Sequence, residues 1–271
     1  MHDRETYLLL LLSDSNLPTG SFVASSGLES FLTHGFGSNN KLDTITTFVR
    51  DSLSTYAPSA LPFVSDAHIA TTRFSDSNDA VLAKLAALDA LYESMTLNHA
   101  ARRASAAQGV ALLTLYSKGF SRPAGIASTS SETESEKNLV RLVDTFKKNA
   151  RCCDGSAFGH LPVCWGILCA ALGLSLDRTQ HLFLFLHARA LLSAAVRLNA
   201  IGPYASQQLL LHAISSLVDT EVAKCARLRT GELLNSSGVF DQTRDGPANT
   251  WPLGEILAAR HDLQHSRIFN S

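Results

Sequence analysis

Two histidines near the end of the sequence have the spacing of metal ligands. In the segment HDLQH, His261 and His265 lie four residues apart, so on a helix both imidazoles would share one face and could hold a divalent metal. A zinc peptidase would carry a glutamate at the second position and a third ligand, whereas Asp262 stands there and no third ligand follows before Ser271. We therefore interpret the pair as solvated histidines on an amphipathic helix, and keep a metal-dependent hydrolase centred on them as the alternative function.

The segment NLPTGSFVASSGLES, residues 16–30, has the glycine and hydroxyl content of a phosphate-binding loop or a nucleophile turn. A Walker loop needs a lysine after its last glycine, but Leu28 and Glu29 follow Gly27. A dinucleotide loop has closer glycine spacing after a strand, and the pentapeptide G-x-S-x-G of a nucleophile elbow is missing here. The segment therefore predicts no bound nucleotide, no cofactor and no serine catalysis.

Turn chemistry explains the same segment as a bend between two helices. Residues 17–20 fit a type I turn, with proline at its second position and glycine at its fourth. The pattern Ser26-x-x-Glu29 matches a capping box. The second helix then begins at Ser21 or at Ser26. In the first case Gly27 would lie inside the helix, where glycine costs about 0.5–1 kcal/mol relative to alanine and would indicate a close neighbour.

Two arginines lie on a segment that is otherwise rich in leucine and alanine. On a helix, Arg189 and Arg197 would face within about 80° of each other. Arginines in such a setting reach solvent, pair with acids inside the protein or are covered by a partner. Internal pairing and use in an interface both remain open from the sequence.

The bulk composition excludes a general attraction to polyanions. The 271 residues are enough to bury a core, and the net charge of −1 gives no electrostatic pull toward nucleic acid or an anionic membrane. Hydrophobic residues make up 45% of the chain and charged ones 17%, which predicts extensive burial or a large partner-covered surface.

The cysteines and the apolar segments predict a cytosolic protein. Five cysteines form no C-x-x-C pair, and the odd number argues against a complete disulfide framework. The apolar run 7–12 is short for a signal peptide. The uncharged stretch 155–176 has the length of a membrane span, but His160 and Pro162 inside it favour a buried core helix.

Hydrophobic periodicity predicts an all-α, single-domain bundle of about ten helices over residues 1–271. Apolar residues recur at steps of three and four, without an alternating strand pattern. Segments 121–138 and 230–250 are polar or rich in turn residues, and we expect them to be flexible surface segments. The predicted helices span 4–13, 22–35, 41–56, 60–74, 78–95, 97–118, 138–150, 160–173, 177–200, 203–229 and 252–265.

Small residues and prolines add detail to this helical prediction. The alanines around Gly109 and the group Ala188, Ala194 and Ala195 would let neighbouring backbones approach closely, which predicts tightly crossed helices. The pair 202–203, glycine then proline, is expected to end one helix and start the next, and Pro252 to start the last helix.

Five segments spread over nearly the whole chain carry the motifs of one known family. They are LPTGSFVASSGLES, RRASAAQGVALL, HLPVCWGILCAALGL, LLSAAVRLNAIGPYASQQLL and RHDLQHSRIFNS. In this order and at these distances they resemble the urease accessory protein F (UreF) family. The departures are local: Ser21 and Ala24 stand where many members carry glycine and histidine, and the insertion at 121–138 is longer than expected.

The resemblance implies an all-helical, non-enzymatic scaffold that forms a homodimer in the cytoplasm. Such a scaffold bridges UreD, also called UreH, and the GTPase UreG on apo-urease, where the GTPase cycle drives nickel delivery and lysine carbamylation. Neither a nucleic acid nor a membrane is implied as a partner. Matched position by position, the residues implied in partner contact are Pro18, Gly20, Phe22, Ser25, Gly27, Glu29, Arg197, Arg267, Phe269 and Ser271.

The segment SRIFNS, residues 266–271, is unusual for a terminus that frays in solvent. It carries Arg267, Ile268 and Phe269 in succession. Burial of the isoleucine and the aromatic ring contributes about 1.5–3 kcal/mol each, provided that a surface receives them. Either the chain's own core or a partner supplies that surface. We favour the partner, and therefore expect removal of this segment to leave the melting temperature unchanged while abolishing capture of the UreD homologue.

Overall fold

The computed structural model describes residues 2–14, 17, 24–73, 78–121, 134–152, 155–233, 240–249 and 251–269. Within these ranges the protein is helical and contains no β-strand, which confirms the all-α prediction. The α-helices are α1 (His2–Leu12), α2 (Leu28–Thr33), α3 (Lys41–Thr72), α4 (Asn78–Met95), α5 (His99–Leu115), α6 (Glu134–Arg151), α7 (Leu161–Leu172), α8 (Leu176–Arg197), α9 (Pro203–Leu209), α10 (Ser215–Cys225), α11 (Gln242–Asp245) and α12 (Pro252–His261).

Helix α3 replaces the two helices predicted over 41–56 and 60–74. Pro58 and Pro62 lie inside it. Because proline has no N–H, Pro62 leaves the carbonyl of Pro58 without its helical donor. The backbone N–H of Ala248 donates to that carbonyl instead, at 3.2 Å. A donor from another part of the chain thus replaces the missing bond, and the prediction of a break at residues 57–59 was wrong.

Glycine and proline mark helix starts where the sequence predicts them. Gly202 is the N-cap of α9 and Pro203 its first residue, and Pro252 is the first residue of α12. The helix predicted over 203–229 is less regular than expected, because a π-helical turn, Leu210–Ile214, joins α9 to α10. A second π-helical turn, at residues 116–120, continues α5.

Helix α7 crosses α3 closely in the core. A Cβ on Gly166 would lie 2.5 Å from the carbonyl oxygen of Val64, so a glycine is needed for the two backbones to approach this far. The buried Trp165 beside it donates its indole N–H to the carbonyl of Thr179 at 3.0 Å. The stretch 155–176 thus contains a buried core helix, as predicted. Among the helices of the described ranges, none has both the length and the apolar character that crossing a bilayer requires.

Helix α5 uses its small residues in two ways. A Cβ on Gly109 would clash with the carbonyl oxygen of Gly159, so α5 packs directly on the loop before α7, which confirms the predicted close contact. The buried Asp89 of α4 fixes the same loop by accepting three consecutive backbone N–H bonds. Ala100 and Ala104, at the other end of α5, line a cavity instead.

The two segments expected to be flexible, 121–138 and 230–250, are described in part. Helix α6 begins at Glu134, inside the first segment, and α11 lies inside the second. Residues 122–133 and 234–239 lie outside the described ranges. The flexibility of both segments therefore stays a prediction.

Candidate functional site

The C-terminal segment folds back onto the motif near the N-terminus. The carboxylate of Glu29, at the start of α2, accepts the backbone N–H of Ile268 at 2.6 Å and that of Phe269 at 3.1 Å. Phe269 is only 2% exposed, and Glu29 only 5%. A buried carboxylate is tolerated when hydrogen bonds satisfy its oxygens, and here the main chain of the tail supplies them. We call the contact of residues 25–30, Arg197 and residues 261–269 the tail junction.

The backbone before α2 positions Glu29 for this contact. Ser26 and Gly27 have φ angles of 50° and 88°, so a left-handed turn precedes the helix, which begins at Leu28. Gly27 is therefore outside the helix, and its positive φ explains the glycine. The predicted capping box was wrong: the Oγ of Ser25, not of Ser26, accepts the Glu29 N–H, at 3.4 Å. The Glu29 side chain is already engaged by the tail, so it does not turn back to cap its own helix.

Arg197, the last residue of α8, covers the aromatic ring of the tail. Its guanidinium carbon lies 4.3 Å from the centroid of the Phe269 ring, which is the geometry of a cation–π contact. Arg189 also acts internally: it donates to the carbonyl of Ser13, and its guanidinium lies 5.8 Å from the Phe185 ring. Burial lowers the pKa of Arg189 from its ordinary value. Both arginines thus make contacts within the chain, and the use of Arg197 in an interface stays a prediction.

The interpretation of His261 and His265 as solvated histidines on one helix was wrong, and the shared helix face that the alternative metal site needs is absent too. Helix α12 ends at His261, four residues before His265, because residues 263 and 264 donate to carbonyls three residues back rather than four. His261 is fully buried, and its Nε2 bonds the carbonyl oxygen of Phe269 at 3.1 Å. His265 is exposed. The tail's return to the core therefore ends the helix and separates the roles of the two imidazoles.

Asp262, which occupies the position of a peptidase's glutamate, joins the tail to α5. Both of its carboxylate oxygens accept from Arg103, at 3.0 and 3.1 Å, and it also accepts from His99 and Arg267. Chiefly through Arg103, these donors hold the pKa of the Asp262 carboxyl well below its usual range. Sequence reasoning missed this group. Its signal was present, since Arg103 and Arg267 both belong to quoted motifs.

Six of the ten residues implied in partner contact fall in the tail junction or on its edge. They are Ser25, Gly27, Glu29, Arg197, Arg267 and Phe269. Pro18, Gly20, Phe22 and Ser271 lie outside the described residues. The expectation that a partner receives Phe269 was wrong, since this chain's own α2, α8 and α12 receive it. The neighbouring Ile268, 56% exposed, and Leu263, 80% exposed, remain on the surface.

The contacts of the tail junction hold the C-terminal segment in place. Its two carboxylates, Glu29 and Asp262, accept from main-chain N–H groups or from charged side chains, and Arg197 covers an aromatic ring. Within the described ranges, no group of three or more histidine, cysteine, aspartate or glutamate side chains could hold a metal ion. The buried Cys164 and Cys169 are free thiols whose pKa values are raised by burial, as expected of packing residues.

Comparison with known proteins gives consistent results along the chain. The family model for UreF matches residues 40–214. The chain is 44% identical to urease accessory protein 6 of Cryptococcus neoformans, over 99% of this chain and 98% of that protein. It is 32% identical to urease accessory protein F of Oryza sativa subsp. japonica, over 95% of this chain and 82% of that protein. An uncharacterized UreF-like urease accessory protein of Schizosaccharomyces pombe is 31% identical, over 98% of this chain and 97% of its own length.

Proposed function

Because this chain belongs to the UreF family of urease accessory proteins, and so has its role in urease maturation, we propose that it acts there as a non-enzymatic adaptor. In this proposal it bridges a UreD homologue and a UreG GTPase homologue on apo-urease, as a cytoplasmic homodimer. It regulates the GTP-dependent insertion of nickel without binding the nucleotide itself.

The tail junction is the observation that carries the proposal. Glu29 and Arg197 hold Phe269 in place, so the adjoining residues are presented on a fixed backbone. Beside this anchor, Ile268 and Leu263 expose apolar side chains next to the charged Arg267. A fixed surface that combines apolar side chains with an arginine favours protein binding, because little conformational entropy is lost on docking.

The segment that could have bound a nucleotide supports an adaptor rather than an enzyme. Residues 25–30 form the left-handed turn and helix start that hold the tail, and no lysine directly follows Gly27. The hydrolase alternative loses its geometric basis, since the Nε2 of His261 is occupied by the carbonyl of Phe269. The GTP chemistry therefore belongs to the UreG partner in this proposal.

The experiment is capture of the purified UreD homologue by variants of two exposed apolar residues, one beside the tail anchor and one elsewhere on the surface. Ile268→Ser removes the exposed apolar group but keeps the backbone N–H that Glu29 accepts. We expect this variant to melt like the wild type and to bind the UreD homologue at least tenfold more weakly. The control is Leu42→Ser, which changes an exposed leucine at the start of α3 and should bind normally. Wild-type affinity in Ile268→Ser would overturn the proposed docking surface.

A further inference from the structure

A cavity of about 200 Å³ lies next to the tail junction and has no part in the proposed function. Tyr56, Tyr92 and Trp251 form its aromatic walls. The short side chains of Ala100 and Ala104 on α5 leave the space between these rings open. An apolar cavity of about 150 Å³ is known to bind benzene, so this one has room for a single ring with a short substituent.

One carboxylate gives the cavity its charge. Glu255 of α12 is the lone acidic side chain among the described residues that line it, and no lysine or arginine joins it there. The Oε1 of Glu255 accepts from the side chain of Asn249 at 3.1 Å, while its Oε2 has no donor among the described residues. Burial raises the pKa of the Tyr92 phenol to about 12, and the nearby Glu255 charge adds to the rise. Glu255 is therefore the acidic group that a cation entering the cavity would meet.

The imidazole of His187 also lines the cavity and is neutral at pH 7. Burial lowers the pKa of His187 to about 4, so its ring carries no charge. This ring stacks on Tyr56 with 4.3 Å between centroids, and its Nε2 bonds the Oγ of Ser52 at 2.9 Å. His187 therefore supplies no positive charge that could compensate Glu255.

A second acceptor in the wall is unused. His261 lines the cavity and is fully buried. Its Nε2 faces the carbonyl oxygen of Phe269, which can only accept, so Nε2 carries the proton. The Nδ1 of the neutral ring is then an acceptor, and it has no hydrogen-bond partner. A buried acceptor left unpaired is unfavourable, and a ligand with N–H donors would satisfy it.

We propose that this cavity is a binding site for a small organic cation, a protonated amine carried on one ring or a short apolar stem. The ammonium group pairs with Glu255 and donates to the Nδ1 of His261, and its stem packs between Tyr56 and Trp251. Aromatic faces add attraction for a cation, most strongly when water is excluded. Since His261 also holds the tail carbonyl, the site shares a residue with the tail junction.

Nuclear magnetic resonance of the Met95 methyl group tests this site directly. Met95 lines the cavity, and the sequence has only two methionines, so a ¹³C-methyl label gives a local signal. The probes are benzylamine, which is protonated at pH 7, and benzyl alcohol, its neutral counterpart of the same size. We expect benzylamine to shift the Met95 signal saturably and to bind at least tenfold more tightly than benzyl alcohol, and Glu255→Gln to abolish that difference.

Matched variants on α5 establish where the probe binds. Ala104→Leu fills the cavity and should abolish the benzylamine response, whereas Ala107→Leu, on the exposed side of the same helix, should keep it. If Ala104→Leu does not fold, Ala101→Leu fills the same cavity. The proposal is overturned if Met95 shows no saturable shift, if both probes bind equally, or if benzylamine binding survives in the folded filled variant.

Discussion

The carboxylate of Glu29 accepts the backbone N–H of Phe269, 240 residues further along the chain, at 3.1 Å. The same carboxylate accepts the N–H of Ile268, so one side chain satisfies two consecutive amides of the tail. Arg197 then covers the Phe269 ring from the end of α8. Three motifs that are far apart in sequence thus form one structural unit.

Replacing Glu29 tests this unit most simply. Glu29→Ala leaves two tail amides without their acceptor, and that of the buried Phe269 cannot turn to water. We expect a loss of about 1–3 kcal/mol in the free energy of unfolding, measured by urea titration. Glu134→Ala, which removes an exposed acid that pairs only at the surface of α6, should change it by less than about 0.5 kcal/mol. Equal effects of the two variants would contradict the anchoring role.

Phe269 is expected to stabilise the protein rather than to wait for a partner. Phe269→Ala removes a ring that is 2% exposed and covered by Arg197, so we expect a cost of about 3 kcal/mol and a lower melting temperature. Deleting residues 266–271 should lower the melting temperature as well, contrary to the expectation from sequence. The exposed Ile268→Ala serves as the control and should melt like the wild type. An unchanged melting temperature after the deletion would instead support the expectation from sequence that a partner receives Phe269.

A separate prediction follows from the left-handed backbone conformation of Gly27. Its φ of 88° is unfavourable for a β-branched residue, whereas a Cβ there would meet only the Cβ of Leu257 at 3.7 Å, an ordinary contact. Gly27→Val should therefore cost at least about 1–2 kcal/mol, and Gly27→Asn less, because asparagine tolerates left-handed backbone. Ser25→Ala should also be milder than Gly27→Val. Thermal melts that rank Gly27→Asn as no better than Gly27→Val would show that space, not φ, is limiting.

His187 is expected to lower the free energy of unfolding at acidic pH. Burial holds its pKa at about 4 in the folded state, below the ordinary 6.5 of an unfolded chain. Between these values the unfolded state binds the extra proton, so this stability is complete above pH 6.5 and is lost as the pH falls toward 4. We expect His187→Gln to reduce the loss in unfolding free energy between pH 7 and pH 4.5 by about 1–3 kcal/mol. A variant at the exposed His212 should keep the wild-type loss, and the same loss in His187→Gln would refute the assignment.

Local patterns predicted the helices well where local energetics decide them. Helix α4 has its predicted bounds, and Pro203 and Pro252 start helices as expected, because caps and periodicity act over a few residues. The continuity of α3 through Pro58 and Pro62 was not predictable in this way. It depends on burial and on a donor at Ala248, which lies 190 positions away from the carbonyl that it satisfies.

The residues of the tail junction were found from motifs, but not their contacts. The sequence singled out Glu29, Arg197 and Phe269 without showing that they touch, because no periodicity relates residues that are 240 apart. The spacing of His261 and His265 pointed to a shared helix face, yet the tail's docking ended the helix between them. Long-range hydrogen bonds overrode the local pattern in both cases.

Reconstitution of urease activation measures the central claim. Apo-urease is incubated with the UreD and UreG homologues, nickel, bicarbonate and GTP, with and without this chain, and urease activity is the readout. The adaptor account predicts strong activation only when the wild-type chain is present, and a large loss with Ile268→Ser, while Leu42→Ser stays active. Equal activation without the chain would contradict the account, as would urease activation by this chain and nickel in the absence of UreG and GTP.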